Sequence, residues 1–430
     1  MSRPVIGFVG MTHLGVNSAA GALARGFPTV GFDPDRAVID ALRQGKPPVT
    51  EPGLEDILRQ RASQASFTSS AGDLSQCDIV YISADVVTDE DGRSDLTHVR
   101  SLINLALRAL AIRAVLVVMC QVPPGFTRTL PLPGERLFYQ VETLVFGRAV
   151  DRALNPERFI IGCVDPTTPL PTAFQEFLAA FECPILPMRY ESAELAKIAI
   201  NCYLVASISV ANTLAELCEH MGAVWSEITP ALKLDKRIGA HAYLLPGMGI
   251  AGGNLERDLA TVIRLADELG TDGGIVKAWL ANSRHRRDWA AQTLQATLLE
   301  QNPEALVAVW GLAYKENTDS VKHSPSLATI AQLPKTTLRL HDPVVLASTV
   351  NHPNAVKAST PLEALRGADA LMILTPWSEY RSITPAQIAS TMRGRLVLDP
   401  YAVLDANAAV VAGLELYTLG RPPLRPDQKR

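Results

Sequence analysis

Between Val5 and Asp33 the sequence alternates in a way that few folds accommodate. Val5-Ile6-Gly7-Phe8-Val9 is an apolar run with no polar face, as a strand covered on both sides of a sheet requires. It enters a turn from Gly10 to Gly15, then an Ala-rich stretch, Ser18 to Arg25, that reads as a helix. A second apolar run, Thr29-Val30-Gly31-Phe32, follows and ends at Asp33. Further strand-like runs at Ile79–Ser83, Val115–Met119 and Phe159–Gly162 continue the alternation. Strands alternating with helices build a parallel, doubly wound sheet, predicted here over residues 1–190.

From Glu191 to about Asp288 the period changes. Apolar residues recur at helical spacing from Ser192 to Met221 and from Asp258 to Leu269, with few strand signals, so residues 191–295 are predicted as a helical core. After Pro303 the alternation restarts, with strands at Ala305–Gly311, Leu338–His341, Ala370–Thr375 and Leu396–Asp399. The predicted fold class is therefore α/β, with two Rossmann-like parallel-sheet domains (1–190 and 296–430) joined by a helical domain. The 430 residues suffice for two or three domains that each bury a core. The Pro- and Arg-rich tail after Gly420 is expected to fray.

Composition narrows the class of partner. The formal net charge of -4 argues against nucleic acid, which requires a basic face. The six cysteines lack C-x-x-C spacing and read as free thiols in a reducing compartment, with no metal site. The apolar run from Leu102 to Cys120 is broken by Arg108 and Arg113, so no membrane span is expected; with no leader-like N-terminus, the expected location is cytoplasmic.

Gly10-Met11-Thr12-His13-Leu14-Gly15, placed between a strand and a helix and followed by Asp33, fits a dinucleotide turn. Gly10 and Gly15 supply the first and third glycines. Asp33 supplies the acid for the ribose hydroxyls and would repel a 2′-phosphate, which favours NAD over NADP. Thr12 stands where a second glycine would be and is expected to crowd the pyrophosphate. On these residues alone a plain βαβ turn also remains open.

Many further segments occur in a fixed order: Glu51-Pro52-Gly53-Leu54, Asp89-Glu90-Asp91-Gly92 with Asp95-Leu96, Val122-Pro123-Pro124-Gly125, Ser192-Ala193-Glu194-Leu195-Ala196-Lys197 with Asn201, Arg237-Ile238-Gly239, Gly249 to Asp258, and Gly311 to Asp319 with Ser324-Pro325. In these the chain resembles the UDP-glucose/GDP-mannose dehydrogenase family along almost its whole length. The resemblance implies an NAD-binding domain, a helical core through which a homodimer forms, a C-terminal nucleotide-sugar domain, and oxidation at C6 of the sugar. Residue by residue, Lys197, Asn201 and Asp258 match the family's catalytic lysine, asparagine and aspartate, and Glu142 matches the first of its paired glutamates. Gln121 falls beside the cofactor. Arg237, Tyr243, Gly249, Gly253 and Lys315 fall at substrate-binding positions.

The departures are specific. Gly252-Gly253-Asn254 replaces the family's Gly-Ser-Cys string, which puts Asn254 at the nucleophile position; Phe146 replaces the second glutamate, and Arg257 a lysine. Asp399-Pro400-Tyr401 replaces an Asp-Gly-Arg-like string. Oxidation of an aldehyde to an acid through a thioester needs a thiolate, which an asparagine amide cannot replace. The expected activity is NAD-dependent oxidation of a nucleotide sugar, UDP-linked, that stops at or passes through the two-electron stage, as a 6-aldehyde or an epimerisation would. The alternatives are a uronate-forming 6-dehydrogenase with a cysteine-free route, and a pseudoenzyme that binds nucleotide sugar or NAD.

Overall fold

A computed structural model describes residues 3–89, 93–251 and 253–426. Glu90, Asp91, Gly92 and Gly252 of the motifs above lie outside the described residues. The chain divides into two compact units, residues 1–200 and 201–430.

In the first unit, strands β1 (Ile6–Val9), β2 (Thr29–Phe32), β3 (Ala65–Thr68) and β4 (Ile79–Ile82) are followed by a short antiparallel hairpin of β5 (Val87–Thr88) and β6 (Ser94–Asp95). Then come β7 (Val115–Val118), β8 (Leu137–Gln140), β9 (Phe159–Cys163) and β10 (Ile185–Arg189). The eight-stranded sheet runs β10-β9-β8-β7-β4-β1-β2-β3. It is parallel except where β8 meets β9. All four residues of β1, β2, β4 and β7 are buried, which is why these strands read as unbroken apolar runs.

The second unit holds helices and a six-stranded, fully parallel sheet. Its strands are β11 (Leu306–Trp310), β12 (Thr337–His341), β13 (Ala355–Lys357), β14 (Ala370–Ile373), β15 (Leu396–Leu398) and β16 (Glu415–Tyr417), in the order β13-β12-β11-β14-β15-β16. Trp310, Leu371, Ile373 and Val397 are fully buried in its core, at about 1.5–3 kcal/mol per large side chain.

Two expectations need correction, and one helix adds to the composition reading. The first helix starts at His13, not Ser18, so half of the presumed turn is already its opening coil. The tail does not fray at Gly420: Leu424 bridges to Leu416, and the Arg425 guanidinium bonds Glu415 at 2.6 Å and the Tyr417 hydroxyl at 3.1 Å. Among the described residues one helix, Tyr190–Met221, is long and apolar enough to cross a membrane by length and composition, with mean hydropathy 1.6 over its most apolar window. The sequence reading passed over it because its apolar residues recur at helical spacing rather than as one run.

Candidate active site

The dinucleotide turn is built by contacts that leave little freedom. Gly10 has φ +92, and a Cβ there would stand 2.7 Å from that of Ala84, so the strand end demands glycine. A Cβ on Gly15 would lie 1.9 Å from the Gly10 carbonyl oxygen, so the helix closes directly on the turn. Leu14 is buried behind it. Thr12 is the N-cap of the helix His13–Ala24 but does not cap it through its side chain. Its hydroxyl instead accepts the Asp85 N–H at 2.9 Å, tying the turn to the loop after β4. The helix N–H groups thus remain available to a phosphate. Asp33, at the end of β2, accepts the Met11 N–H at 2.8 Å and the Asp35 N–H at 2.9 Å. Each oxygen keeps a further lone pair for a ribose hydroxyl. These residues fit a pyrophosphate with its ribose. Gln121 is buried in the loop after β7.

Lys197 and Asn201 lie one turn apart on the helix Tyr190–Met221, whose first part belongs to one unit and the rest to the other. Within the first unit, Lys197 Nζ is 2.8 Å from Glu142 Oε1 and donates to the Glu142 carbonyl at 3.1 Å. Glu142 Oε2 accepts the Leu144 N–H at 2.9 Å, which folds the following loop over the ion pair. Both side chains are largely buried, at 12% and 16% exposure, so removing either would strand a charge. Three residues before Lys197, fully buried Glu194 accepts the N–H groups of Gly125 at 2.5 Å and Thr127 at 2.8 Å. Burial pushes its carboxyl above the usual range. The two sequence segments Val122–Gly125 and Ser192–Lys197 are therefore one structural joint.

In the second unit, the Asn201 amide donates to Asp258 Oδ2, and Arg257 Nε lies 3.8 Å from the other oxygen. Asn201, Arg257 and Asp258 are all buried. Asp258 sits one turn after Asn254 on the helix Asn254–Leu269, so the two share a face. Asn254 is the first residue of that helix and is exposed. Gly253 caps it, with space for a Cβ closed by Lys322 Cε at 2.9 Å. At Gly249 a Cβ would meet the Ser283 carbonyl oxygen at 2.4 Å.

None of the six cysteines forms a disulfide. Cys202, beside Asn201, has its thiol pushed up to about 11 by burial and then by Asp258, so it holds no thiolate at neutral pH. Arg237 chelates Asp235 at 3.0 and 2.7 Å and is 88% exposed, Tyr243 is exposed, and Lys315 lies 5.5 Å over the Tyr314 ring in the loop after β11.

Two acids escaped the sequence reading. Glu51 is buried and accepts from His13 and from two backbone amides, while Asp342 organises the loop after β11. Their donors are mostly main-chain groups, which carry no residue signature; the acid in Glu51-Pro52-Gly53-Leu54 was the one visible hint.

Comparison with known proteins gives three successive matches to models of the UDP-glucose/GDP-mannose dehydrogenase family: its NAD binding domain over residues 5–179, its central domain over 191–284, and its UDP binding domain over 308–406. The chain is 30% identical to a UDP-glucose 6-dehydrogenase of Pseudomonas aeruginosa over 440 residues, covering 96% of this chain and 97% of that one. It is 27% identical to one of Bacillus subtilis, covering 97% and 98%. Among solved structures, a UDP-glucose dehydrogenase from Pyrobaculum islandicum superposes with TM-score 0.83 at 28% identity, covering 94% of this chain and 98% of that one. A UDP-D-ManNAc dehydrogenase from Pyrococcus horikoshii shares the fold, with TM-score 0.83 at 23% identity and 97% and 99% coverage.

Proposed function

Since the chain belongs to the UDP-glucose/GDP-mannose dehydrogenase family, a family of NAD-dependent nucleotide-sugar oxidoreductases, we propose that it removes one hydride from C6 of a UDP-linked sugar and carries no thioester chemistry. The observation that carries this reading is the division of the site residues. Those suited to alcohol oxidation, Lys197, Asn201 and Asp258, are present and paired. The position matched to the acyl-accepting cysteine opens its helix with an exposed Asn254.

The nicotinamide, when bound, accepts a two-electron hydride. Of the three N–H bonds of the Lys197 ammonium, two are directed at Glu142, and the third can meet the oxygen of the sugar as its proton leaves. Asp258, kept oriented by the Asn201 amide, is a carboxylate able to accept a proton through a water. The Asn254 amide can donate a hydrogen bond to an aldehyde or alkoxide oxygen, but it cannot add to the carbonyl. Phe146 leaves no second carboxylate to direct water at a thioester.

The test is a stoichiometry. With UDP-glucose and excess NAD, the expected yield is one NADH per sugar, with no mass increase on the intact chain. Two equivalents would overturn the reading in favour of a cysteine-free route to the uronate. None, with binding retained, would leave a protein that only holds its ligands.

The same reading includes a homodimer through the long helix. Tyr203, Val210, Leu214, Leu217 and Met221 are all exposed there at heptad-like spacing, 40% for Leu214 and 79% for Tyr203. Sedimentation velocity at micromolar concentration should give the dimer mass, and a Leu217→Glu variant the monomer; a monomeric wild type refutes the pairing.

A further inference from the structure

The dinucleotide turn and the Glu142 loop are bolted together inside the first unit. His13, the first residue of the helix that opens the turn, is buried, and its Nε2 lies 2.9 Å from Glu51 Oε1. The same oxygen accepts the Gly147 N–H at 2.8 Å, and Glu51 Oε2 accepts the Ala149 N–H at 3.1 Å. Ala149 begins the helix Ala149–Leu154, so the Glu51 carboxylate also faces the start of that helix. Against the face of the His13 imidazole the Phe146 ring stacks at 3.8 Å between centroids and 19° between planes. The imidazole is therefore held at its edge by a carboxylate and on its face by an aromatic ring, and both partners connect to residues 146–149.

The chain reaches that segment from Glu142, the partner of Lys197. Its path is short and restrained: Glu142 accepts from Leu144, and Arg152 Nε donates to the Thr143 carbonyl at 2.6 Å. A displacement of His13 is thus passed through the Phe146 ring and the Glu51 carboxylate to a loop whose other end fixes the ammonium. An exposed loop without these ties would absorb such a shift. His13 follows Thr12 directly, and its N–H group is among those at the helix start that would approach a bound pyrophosphate.

We propose that Phe146 is a positioning residue: through its stack on His13 it couples occupancy of the dinucleotide turn to the Lys197–Glu142 pair. This rests on the assignment of Lys197 above, but the coupling itself is a property of dinucleotide binding. Where the family resemblance expects a second carboxylate, this chain has a ring that serves as a mechanical link.

The experiment is a double-mutant cycle on NAD affinity, measured by calorimetry without any sugar. It uses the wild type, Glu142→Gln, Phe146→Leu and the double variant, with unchanged far-ultraviolet dichroism as the folding control. Glu142→Gln should alter the NAD Kd at least about 3-fold in the wild-type background and leave it unaltered in the Phe146→Leu background, since residues coupled through one network are non-additive. Phe146→Tyr keeps a ring and should behave as wild type. An equal effect of Glu142→Gln in both backgrounds, or none in either, overturns the proposal. Because no turnover is read, an unexpected NADH stoichiometry would count against the proposed reaction and not against the coupling.

Discussion

The two parallel sheets solve one problem with the same joint and then use it differently. In the first unit, β1 ends at Gly10, whose N–H bonds the Phe32 carbonyl at 2.9 Å, and the next N–H, of Met11, bonds Asp33 at the end of β2. In the second, β11 ends at Gly311, whose N–H bonds the His341 carbonyl at 2.8 Å, and the next N–H, of Leu312, bonds Asp342 just after β12. Both glycines have positive φ, +92 and +97, and both back onto the second residue after the neighbouring strand, Ala84 and Thr375. Beyond the joint they part. A helix begins three residues after Gly10, whereas in the second unit the helix at Pro325 begins fourteen residues after Gly311. The first unit therefore offers a phosphate the N–H groups and dipole of a helix start. The second offers a loop carrying Lys315 and Lys322, in which charge must come from side chains.

The acids at the two joints carry unequal loads, and that inequality can be broken. Asp342 accepts five donors: the Leu312, Ala313, Val344 and Val345 N–H groups and the Trp377 indole, at 2.7 to 3.2 Å. Asp33 accepts two. Hydrogen bonds to a charged acceptor are worth about 1.5–3 kcal/mol each, less where water can replace the lost partner. Asp342→Ala should then cost about 5 kcal/mol and Asp33→Ala about 2 kcal/mol in chemical denaturation. Asp33→Ala should instead weaken NAD by about tenfold or more, the loss of a charge-assisted bond. Equal stability losses would mean that the resemblance of the joints extends to their load.

The contrast also shows what could be read in advance. Strands of the sheet centres, β1, β2, β4, β7, β11 and β14, are buried throughout or nearly so and stood out as apolar runs. The edge strands β3, β10, β13 and β16 went unseen, because a strand with one neighbour is partly exposed and keeps polar residues. Interior β8 was missed although buried, its Leu-Phe-Tyr-Gln being short, close behind Pro133-Gly134 and ending on a polar residue. In the site, Asp33 and the Lys197–Asn201 spacing were legible from one segment each. Glu51 and Glu194 were not, because their partners are amides of Gly147, Ala149, Gly125 and Thr127, distant in sequence and without side-chain signal.

The smallest expected difference lies where the comparison continues to the next strands. Beyond β7 and β15 lies a fully buried residue in each unit: Cys120, two residues after its strand, is a thiol, and Asp399, directly after its strand, is a carboxylic acid. Burial pushes the Cys120 thiol up to about 12, so it stays neutral and adds no pH dependence near neutrality. Burial pushes Asp399 from 3.8 to about 6, against the opposing N–H of Leu404 at 2.8 Å. A carboxyl with a raised pKa holds its proton longer in the folded chain than in the unfolded one. Its contribution is therefore fully present below pH 3.8, falls as pH rises from 3.8 to about 6, and is constant above. At about 1.36 kcal/mol per pKa unit the loss is at most about 3 kcal/mol, and structural relaxation will reduce it. Asp399→Asn cannot titrate, so the variant should gain on the wild type between pH 4 and 6 and run parallel to it from pH 6.5 to 8. Taking the difference between the two chains cancels the opposing slopes of other carboxyls, among them Glu191, which the Arg128 guanidinium holds down at about 2. A difference in denaturation midpoint that is flat from pH 4 to 6 would show that Asp399 keeps an ordinary pKa, and that the two strand ends differ in chemistry without differing in charge.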